Sequence, residues 1–391
     1  MNTKRRLPLT LLVVLLIVLS FGAGFGYSHV FPRAAPELPE EFNALWDVWW
    51  NLEEYYVNKE ALDPEELSRG AIEGLLEALD DPYTSYMDME SYELQISDLE
   101  GSFEGIGAII SMEDGELMVV SPVAGSPAER QGVRAGDKIL EIDGEATSGM
   151  NLMEAVLKIR GTKGTTVTLL ILHQGETTPV AIEIVREEIE LDSVYMDMLP
   201  DDIAHIQITH FSERTPDELA AALNEALQNG AGGIIIDLRG NPGGLLYTVV
   251  DVASNFLDGG IVLYEADGAG NIIKERPASS GGVATDLPLA VLVDGGSASG
   301  SEVLAGALQD RGRAPLIGTK TYGKGSVNIL QELSDGSALY LTTAYWLTPN
   351  RYLIQGVGIT PDFEVEITAE DIASGRDPQL EFAVAYIQAQ L

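Results

Sequence analysis

Two stretches of this chain, Gly233 to Leu238 and Leu289 to Val293, read as continuous apolar strands, and each runs into a glycine-rich turn followed by a helical pattern. A strand without a polar face must be covered on both sides, which is the situation of a strand inside a parallel sheet flanked by crossover helices. The neighbouring segments fit that reading. Ile203 to Phe211 alternates as a strand, and Thr215, Pro216 and Glu218 open a helix that carries Leu219, Leu223 and Leu227 and ends at Gly230. A helix begins near Leu245, a strand covers Ile261 to Tyr264, and 267–285 is irregular and glycine-rich. Leu316 to Gly318, Ser326 to Leu333 and Ala338 to Thr343 are further strands, the last two joined by a hairpin at Asp335-Gly336. Residues 188–391 are therefore expected to form a βαβ-type core with a mixed sheet.

The chain has 391 residues, too many for one small core, so the α/β core is expected to be one part of a multi-domain molecule. With 23 basic against 61 acidic residues the net charge is −38, a surface that repels phosphate backbones and argues against nucleic acid as a partner. There is no cysteine, which removes disulfides and thiolate chemistry. His29, His173, His205 and His210 form no metal-ligand pattern, so neither a metal nor another cofactor is expected. His205 and His210 fall on opposite faces of one predicted strand and read as ordinary strand positions.

At the amino terminus Lys4, Arg5 and Arg6 precede a charge-free run from Leu7 to Tyr27, long enough for a transmembrane helix. An uncleaved membrane anchor over 1–30 is favoured over a signal segment, because no clear Ala-x-Ala site follows. Either reading places the rest outside the cytoplasm: membrane-anchored on the periplasmic or cell-surface side, or secreted if the segment is cut. Residues 31–41, with Pro32, Pro36 and Pro39, read as an extended linker. Residues 42–98 read as a helical subdomain, in which Asp63, Pro64 and Glu66 start a helix bearing Leu67, Ala71, Leu75 and Leu79.

From 99 to 187 the pattern changes to short strands and turns with two helices. Gly105-Ile106-Gly107 opens a strand, Ser126 caps a short helix, Ala135-Gly136-Asp137 leads into Ile139, Leu140 and Ile142, and Asn151 with Glu154 caps a second helix. In this order the segments resemble a PDZ domain. Such a module binds a chain end: turn amides at Gly105, Ile106 and Gly107 receive the carboxylate while the peptide adds as a strand.

Three segments of the last block carry candidate chemistry. Asp294 to Glu302 places Ser299 at a strand-to-helix turn, where helix amides can stabilise a developing oxyanion. Alone, the motif reads equally as a serine-glycine turn in which Ser299 or Ser301 caps the helix. Gly323-Lys324-Gly325 sets a lysine between glycines before a strand, and Asp237 to Gly244 offers further amides. Alone, these two read as a solvated lysine and a turn.

Together the three segments, with Asp81-Pro82-Tyr83, the PDZ-like block and Gly358 to Asp362, resemble the carboxyl-terminal processing peptidases. The resemblance implies that Ser299 is the nucleophile, Lys324 the general base, and the amides of Gly243 and Gly300 the oxyanion donors. Gly300 stands where the family has alanine, and Asn328 where it often has a glutamine that positions the lysine amine. Arg160 matches a position implicated in coupling PDZ placement to active-site assembly. The amine accepts a proton only when neutral, a state that burial favours, and Ile317, Tyr322 and Val327 are the apolar neighbours expected around it.

The implied function is a serine endopeptidase that cleaves proteins near their carboxyl ends, with tails gathered by the PDZ-like block. The alternative is a catalytically silent, membrane-tethered PDZ adaptor, and a hydrolase of another acyl substrate is a third reading. Expected partners are protein tails and, through the amino-terminal helix, the membrane; a homo-oligomer is compatible with all three.

Overall fold

The computed structural model describes residues 39–113 and 115–391. They divide into two compact units, with the boundary between Ile72 and Glu73. The first unit contains α1 (Asn43–Tyr55) and most of α2 (Pro64–Glu77), whose start is held by Asp63 Oδ1 accepting the amide of Glu65 at 2.9 Å.

The second unit begins with β1 (Ser85–Met87) and α3 (Met89–Glu100). A β-rich module follows: β2 (Ser102–Gly105), β3 (Ala108–Glu113), β4 (Glu116–Pro122), α4 (Pro127–Arg130), β5 (Lys138–Ile142), β6 (Glu145–Ala146), α5 (Leu152–Ile159), β7 (Thr166–Leu172), β8 (Val180–Val185) and β9 (Glu187–Glu190). Strands β3, β4, β5, β7 and β8 pair in that order as an antiparallel sheet, and β2 pairs β9 as a separate ribbon. Ile106, Leu117, Val119, Ile139, Ile142, Val167, Leu169, Ile171 and Ile184 form its core. Both caps read from the sequence are made, Ser126 Oγ to the amide of Glu129 and Asn151 Oδ1 to that of Glu154.

The remaining chain builds two sheets. β10 (Val194–Leu199), β11 (Ile203–Ile208), α6 (Thr215–Gln228), β12 (Gly233–Asp237), α7 (Leu246–Ala253), β13 (Ile261–Ala266), β14 (Ile272–Pro277), β15 (Leu289–Val293), α8 (Gly300–Asp310), β16 (Leu316–Gly318), β17 (Ser326–Glu332), β18 (Ala338–Leu347), β19 (Phe363–Glu364), α9 (Ala369–Ser374) and α10 (Pro378–Gln388) follow in order. Strands β11, β12, β15, β16 and β19 are parallel neighbours, and β10 adds antiparallel at one edge. The second sheet is antiparallel, in the order β1, β18, β13, β14, with β17 paired to β18.

Burial explains the apolar runs. Ile234 and Ile236 of β12, with Leu289, Val291 and Val293 of β15, pack on the side of α6, α7 and α8, whereas Ile235, Ala290 and Leu292 join Ala383 and Ile387 of α10 on the other. Every residue of both strands is buried. The one charged residue among them, Asp237, accepts from Arg239 and faces His205 Nε2 at 3.0 Å, and Arg239 reaches Asp377 across the sheet end at 2.8 Å.

Several expectations are corrected. The transmembrane helix is not found: among the described residues no helix is long and apolar enough to cross a membrane, and the run from Leu7 to Tyr27 lies outside them. The helical stretch over 42–98 also contains β1, which pairs with β18. The strand expected to reach Phe211 stops at Ile208, so His210 lies beyond it. The glycine-rich stretch over 267–285 contains β14, whose partner β13 was needed to reveal it.

Burial works to raise the Asp237 carboxyl, but His205 and Arg239 outweigh it and hold it below the ordinary carboxylate range. A depressed carboxylate stabilises the fold above its unfolded value, and that contribution is lost as pH falls through its folded value. Asp237→Asn is expected to cost on the order of 3 kcal/mol at neutral pH, because it leaves Arg239 half-paired. The deficit relative to wild type should shrink below the ordinary carboxylate range, as measured by denaturant unfolding across pH.

Candidate active site

The parallel strands β12, β15 and β16 end on the same edge, and the turns that follow them are bonded together there. The amide of Gly240 donates to Asp294 Oδ1 at 2.9 Å, that of Ala298 to the Asn241 carbonyl at 3.0 Å, and that of Tyr322 to the Ser297 carbonyl at 3.1 Å. The serines flanking Ser299 act as stitches. Ser297 Oγ donates to the Leu238 carbonyl at 2.8 Å and Ser301 Oγ to that of Asn241 at 3.0 Å.

Ser299 itself occupies the residue before α8 with φ 56° and ψ −115°, a backbone state that costs a non-glycine residue about 1–3 kcal/mol. Its neighbours are fitted to it. A Cβ on Gly243 would lie 2.6 Å from Ser299 Cβ and 2.8 Å from the nitrogen of Gly300, so only glycine lets the two turns approach. A Cβ on Gly300 would lie 2.8 Å from Val249 Cγ2, so that valine occupies the room the family's alanine would need.

Lys324 is half-buried, and two aromatic rings stand near its amine. Nζ lies 5.8 Å from the centroid of Tyr83 and 5.4 Å from that of Tyr340. Of the apolar neighbours expected, Ile317 and Val327 are buried, but Tyr322 is 64% exposed. Among the described residues no hydrogen bond joins the amine to Ser299 Oγ. The main chains of the two residues are nevertheless tied: one oxygen of Glu302, Oε2, accepts the amides of Ser299 and Lys324, each at 2.9 Å. Burial pushes the Glu302 carboxyl above its ordinary range, and its bonds from Thr321, Gly323, Ser299 and Lys324 pull the other way.

The other expected site residues are placed as follows. The Gly243 amide donates to Asn241 Oδ1 at 2.8 Å and is thus already engaged in this arrangement, whereas the Gly300 amide is in the first turn of α8. Asn328 does not hold the lysine amine; its Nδ2 donates to the Tyr83 carbonyl at 3.0 Å and to Thr342 Oγ1 at 2.9 Å. Gly105 ends β2, and Ile106 and Gly107 form the turn into β3, packed so closely that a Cβ on Gly107 would lie 2.4 Å from Ser126 Cβ. Arg160 closes α5, stacks over the Phe103 ring at 4.2 Å and donates to Ser97 Oγ at 3.0 Å. A cavity of about 1080 Å³ is lined by Ile106, Gly107 and Arg160 together with Gly243, Ser299, Lys324 and Asn328. Among the described residues no group of three or more His, Asp or Glu side chains is placed to hold a metal ion.

Sequence reasoning missed Glu302, Asn241, Tyr83 and Tyr340 as parts of the site. Glu302 carried a signal, standing three residues after Ser299 in a capping position; Tyr340 carried none.

A strained serine at a strand-to-helix turn beside a buried lysine turn, in a parallel sheet joined to a PDZ-type module, defines a serine-type peptidase. The comparisons agree. The chain matches peptidase family S41 over residues 202–365, the PDZ domain over 95–172 and the activating protease CtpB N-terminal domain over 33–91. It is 38% identical to the carboxy-terminal processing protease CtpA of Bacillus subtilis over 86% of this chain and 71% of that one. It is 40% identical to a carboxyl-terminal-processing protease of Synechocystis, over 89% of this chain and 82% of that one. The solved photosystem II D1 C-terminal processing protease matches with a TM-score of 0.51 at 30% identity, over 81% of this chain and 86% of that one. The chain belongs to the carboxyl-terminal processing protease family.

Gly243→Ala is expected to displace Ser299 while leaving the sheets intact. Peptidase activity should fall by about 100-fold or more for a displacement of about 1 Å, with the thermal midpoint lowered by only a few degrees, measured on the same preparation.

Proposed function

We propose that this protein is an endopeptidase that cuts proteins near their carboxyl ends with Ser299 as nucleophile and Lys324 as general base, and that it does so outside the cytoplasm. The observation that carries the reading is the shared carboxylate oxygen of Glu302, which brings the backbones of serine and lysine together at one edge of the sheet. The location rests on the basic cluster at Lys4 to Arg6 and the charge-free run after it.

In the reaction Ser299 Oγ attacks the substrate carbonyl while its proton passes to the neutral amine of Lys324. The oxyanion that forms is met by first-turn amides of α8, Gly300 among them, and by the amide of Gly243 once it leaves Asn241 Oδ1. The lysine returns the proton to the leaving amine as the C–N bond breaks, and water then hydrolyses the acyl-enzyme. Both the amine, now over Tyr83 and Tyr340, and the Gly243 amide must move into line, and catalytic hydrogen bonds commonly tighten only when substrate is bound.

The PDZ module would hold the substrate's terminal carboxylate at Gly105, Ile106 and Gly107, the last two of which line the cavity that Ser299 also lines. Arg160, held on Phe103 and Ser97, lines the same cavity and is read as the residue that links tail binding to alignment.

The test compares wild type, Ser299→Ala and Lys324→Ala on disordered proteins ending in apolar or charged residues. Both variants should lose cleavage by about 1,000-fold or more and still bind a tail peptide; cleavage persisting in Ser299→Ala would show the mechanism to be wrong. Arg160→Ala should leave tail binding in place and reduce the stimulation of cleavage by an apolar tail. Equal stimulation in wild type and variant would remove the coupling role.

A further inference from the structure

We infer that Glu302 is a positioning residue for catalysis, a buried carboxylate that sets the separation of nucleophile and base by holding both of their main chains and is braced by Thr321. This rests on the reading of Ser299 and Lys324 given above.

Glu302 is fully buried, and among the described residues no basic side chain is paired with it. A carboxylate in that position is costly unless its lone pairs are filled. They are filled by four donors, two on each oxygen. Oε2 accepts the amides of Ser299 and Lys324, each at 2.9 Å, so the two nitrogens are no farther apart than twice that length. Oε1 accepts the amide of Gly323 at 2.7 Å and the hydroxyl of Thr321 at 2.6 Å. A glutamate that merely capped α8 would need the first of these bonds alone. The other three go to the lysine turn, which leaves a different strand.

The brace continues outward. Thr321 Oγ1 also accepts the amide of Ile359 at 2.7 Å, and a Cβ on Gly358 would lie 2.5 Å from the Thr321 carbonyl. The Gly358 to Asp362 segment thus presses the threonine, and through it the carboxylate, onto the lysine turn. Only an ionised carboxylate accepts all four bonds. A glutamine keeps the shape but turns an NH₂ group towards two of the donors, leaving buried N–H groups facing each other. Turned one way the amide leaves Ser299 and Lys324 without their shared acceptor, turned the other it leaves the Gly323 amide beside the lysine without one, and a displacement of about 1 Å between reacting groups can cost on the order of 100-fold in rate.

The experiment uses the full chain and measures kcat and KM on a disordered protein with an apolar carboxyl end, together with tail-peptide binding and thermal unfolding. Glu302→Gln should lower kcat by about 100-fold, with KM and tail binding within about threefold of wild type. Thr321→Val should lower kcat by about tenfold, and Thr321→Ser, which retains the hydroxyl, should recover most of the loss. A folded Glu302→Gln that keeps kcat within about threefold overturns the inference. If that variant does not fold, the threonine pair decides: Val and Ser with equal kcat overturn it, and loss with Val but recovery with Ser supports it. Ser299→Ala run alongside separates the two levels. Cleavage surviving in Ser299→Ala removes the serine mechanism and this inference with it, whereas an inert Ser299→Ala beside an unaffected Glu302→Gln removes the positioning role alone.

Discussion

Burial of β12 and β15 on both faces is the constraint on which the rest of this molecule depends. With Ile234, Ile236, Val291 and Val293 turned to one helical layer and Ile235, Ala290 and Leu292 to the other, neither strand can slip by one residue without changing the layer each side chain meets. The strands therefore end in register, and the chain must turn at one edge within a few residues. The buried polar side chains of those turns have no water to turn to, which is why Ser297, Ser301 and Asn241 each hydrogen-bond to main-chain carbonyls of neighbouring segments.

This packing makes a strained serine tolerable. Positive φ at Ser299 is held by the Gly243 backbone pressed against its Cβ on one side and by Glu302 on its amide on the other. The strain is offset by the surrounding hydrogen bonds and by the core beneath. It also fixes where the hydroxyl can go, since a serine in a relaxed turn would sample several directions. The lysine side is built on the same logic, with glycines on both sides of Lys324 and one carboxylate beneath.

Much of this arrangement is legible from residue pattern. The apolar run at Leu289 to Val293, the capping signals at Ser126 and Asn151 and the hairpin at Asp335-Gly336 each state a local requirement that the fold then meets. Legibility fails where the partner is distant. The strand β14 lies in a glycine-rich stretch with mostly exposed residues, and only pairing with β13 makes it a strand. The surroundings of Asn328 were hidden for the same reason: the resemblance set it beside the lysine amine, whereas its Nδ2 donates to the Tyr83 carbonyl and to Thr342 Oγ1, partners 245 and 14 residues away in the chain.

The sequence by itself determined the architecture of the parallel core and the strands and caps of the PDZ-type module, because each follows from periodicity or turn chemistry over a few adjacent residues, while the serine and lysine turns stood out only through the resemblance that the ordered motifs carry together. Only the tertiary structure decided what surrounds them. That Glu302 joins the two turns, that Asn241 occupies the Gly243 amide and that Tyr83 and Tyr340 flank the lysine amine all depend on residues far apart in the chain. A buried polar group takes whichever partner the packed elements bring to it, and no local pattern records that choice.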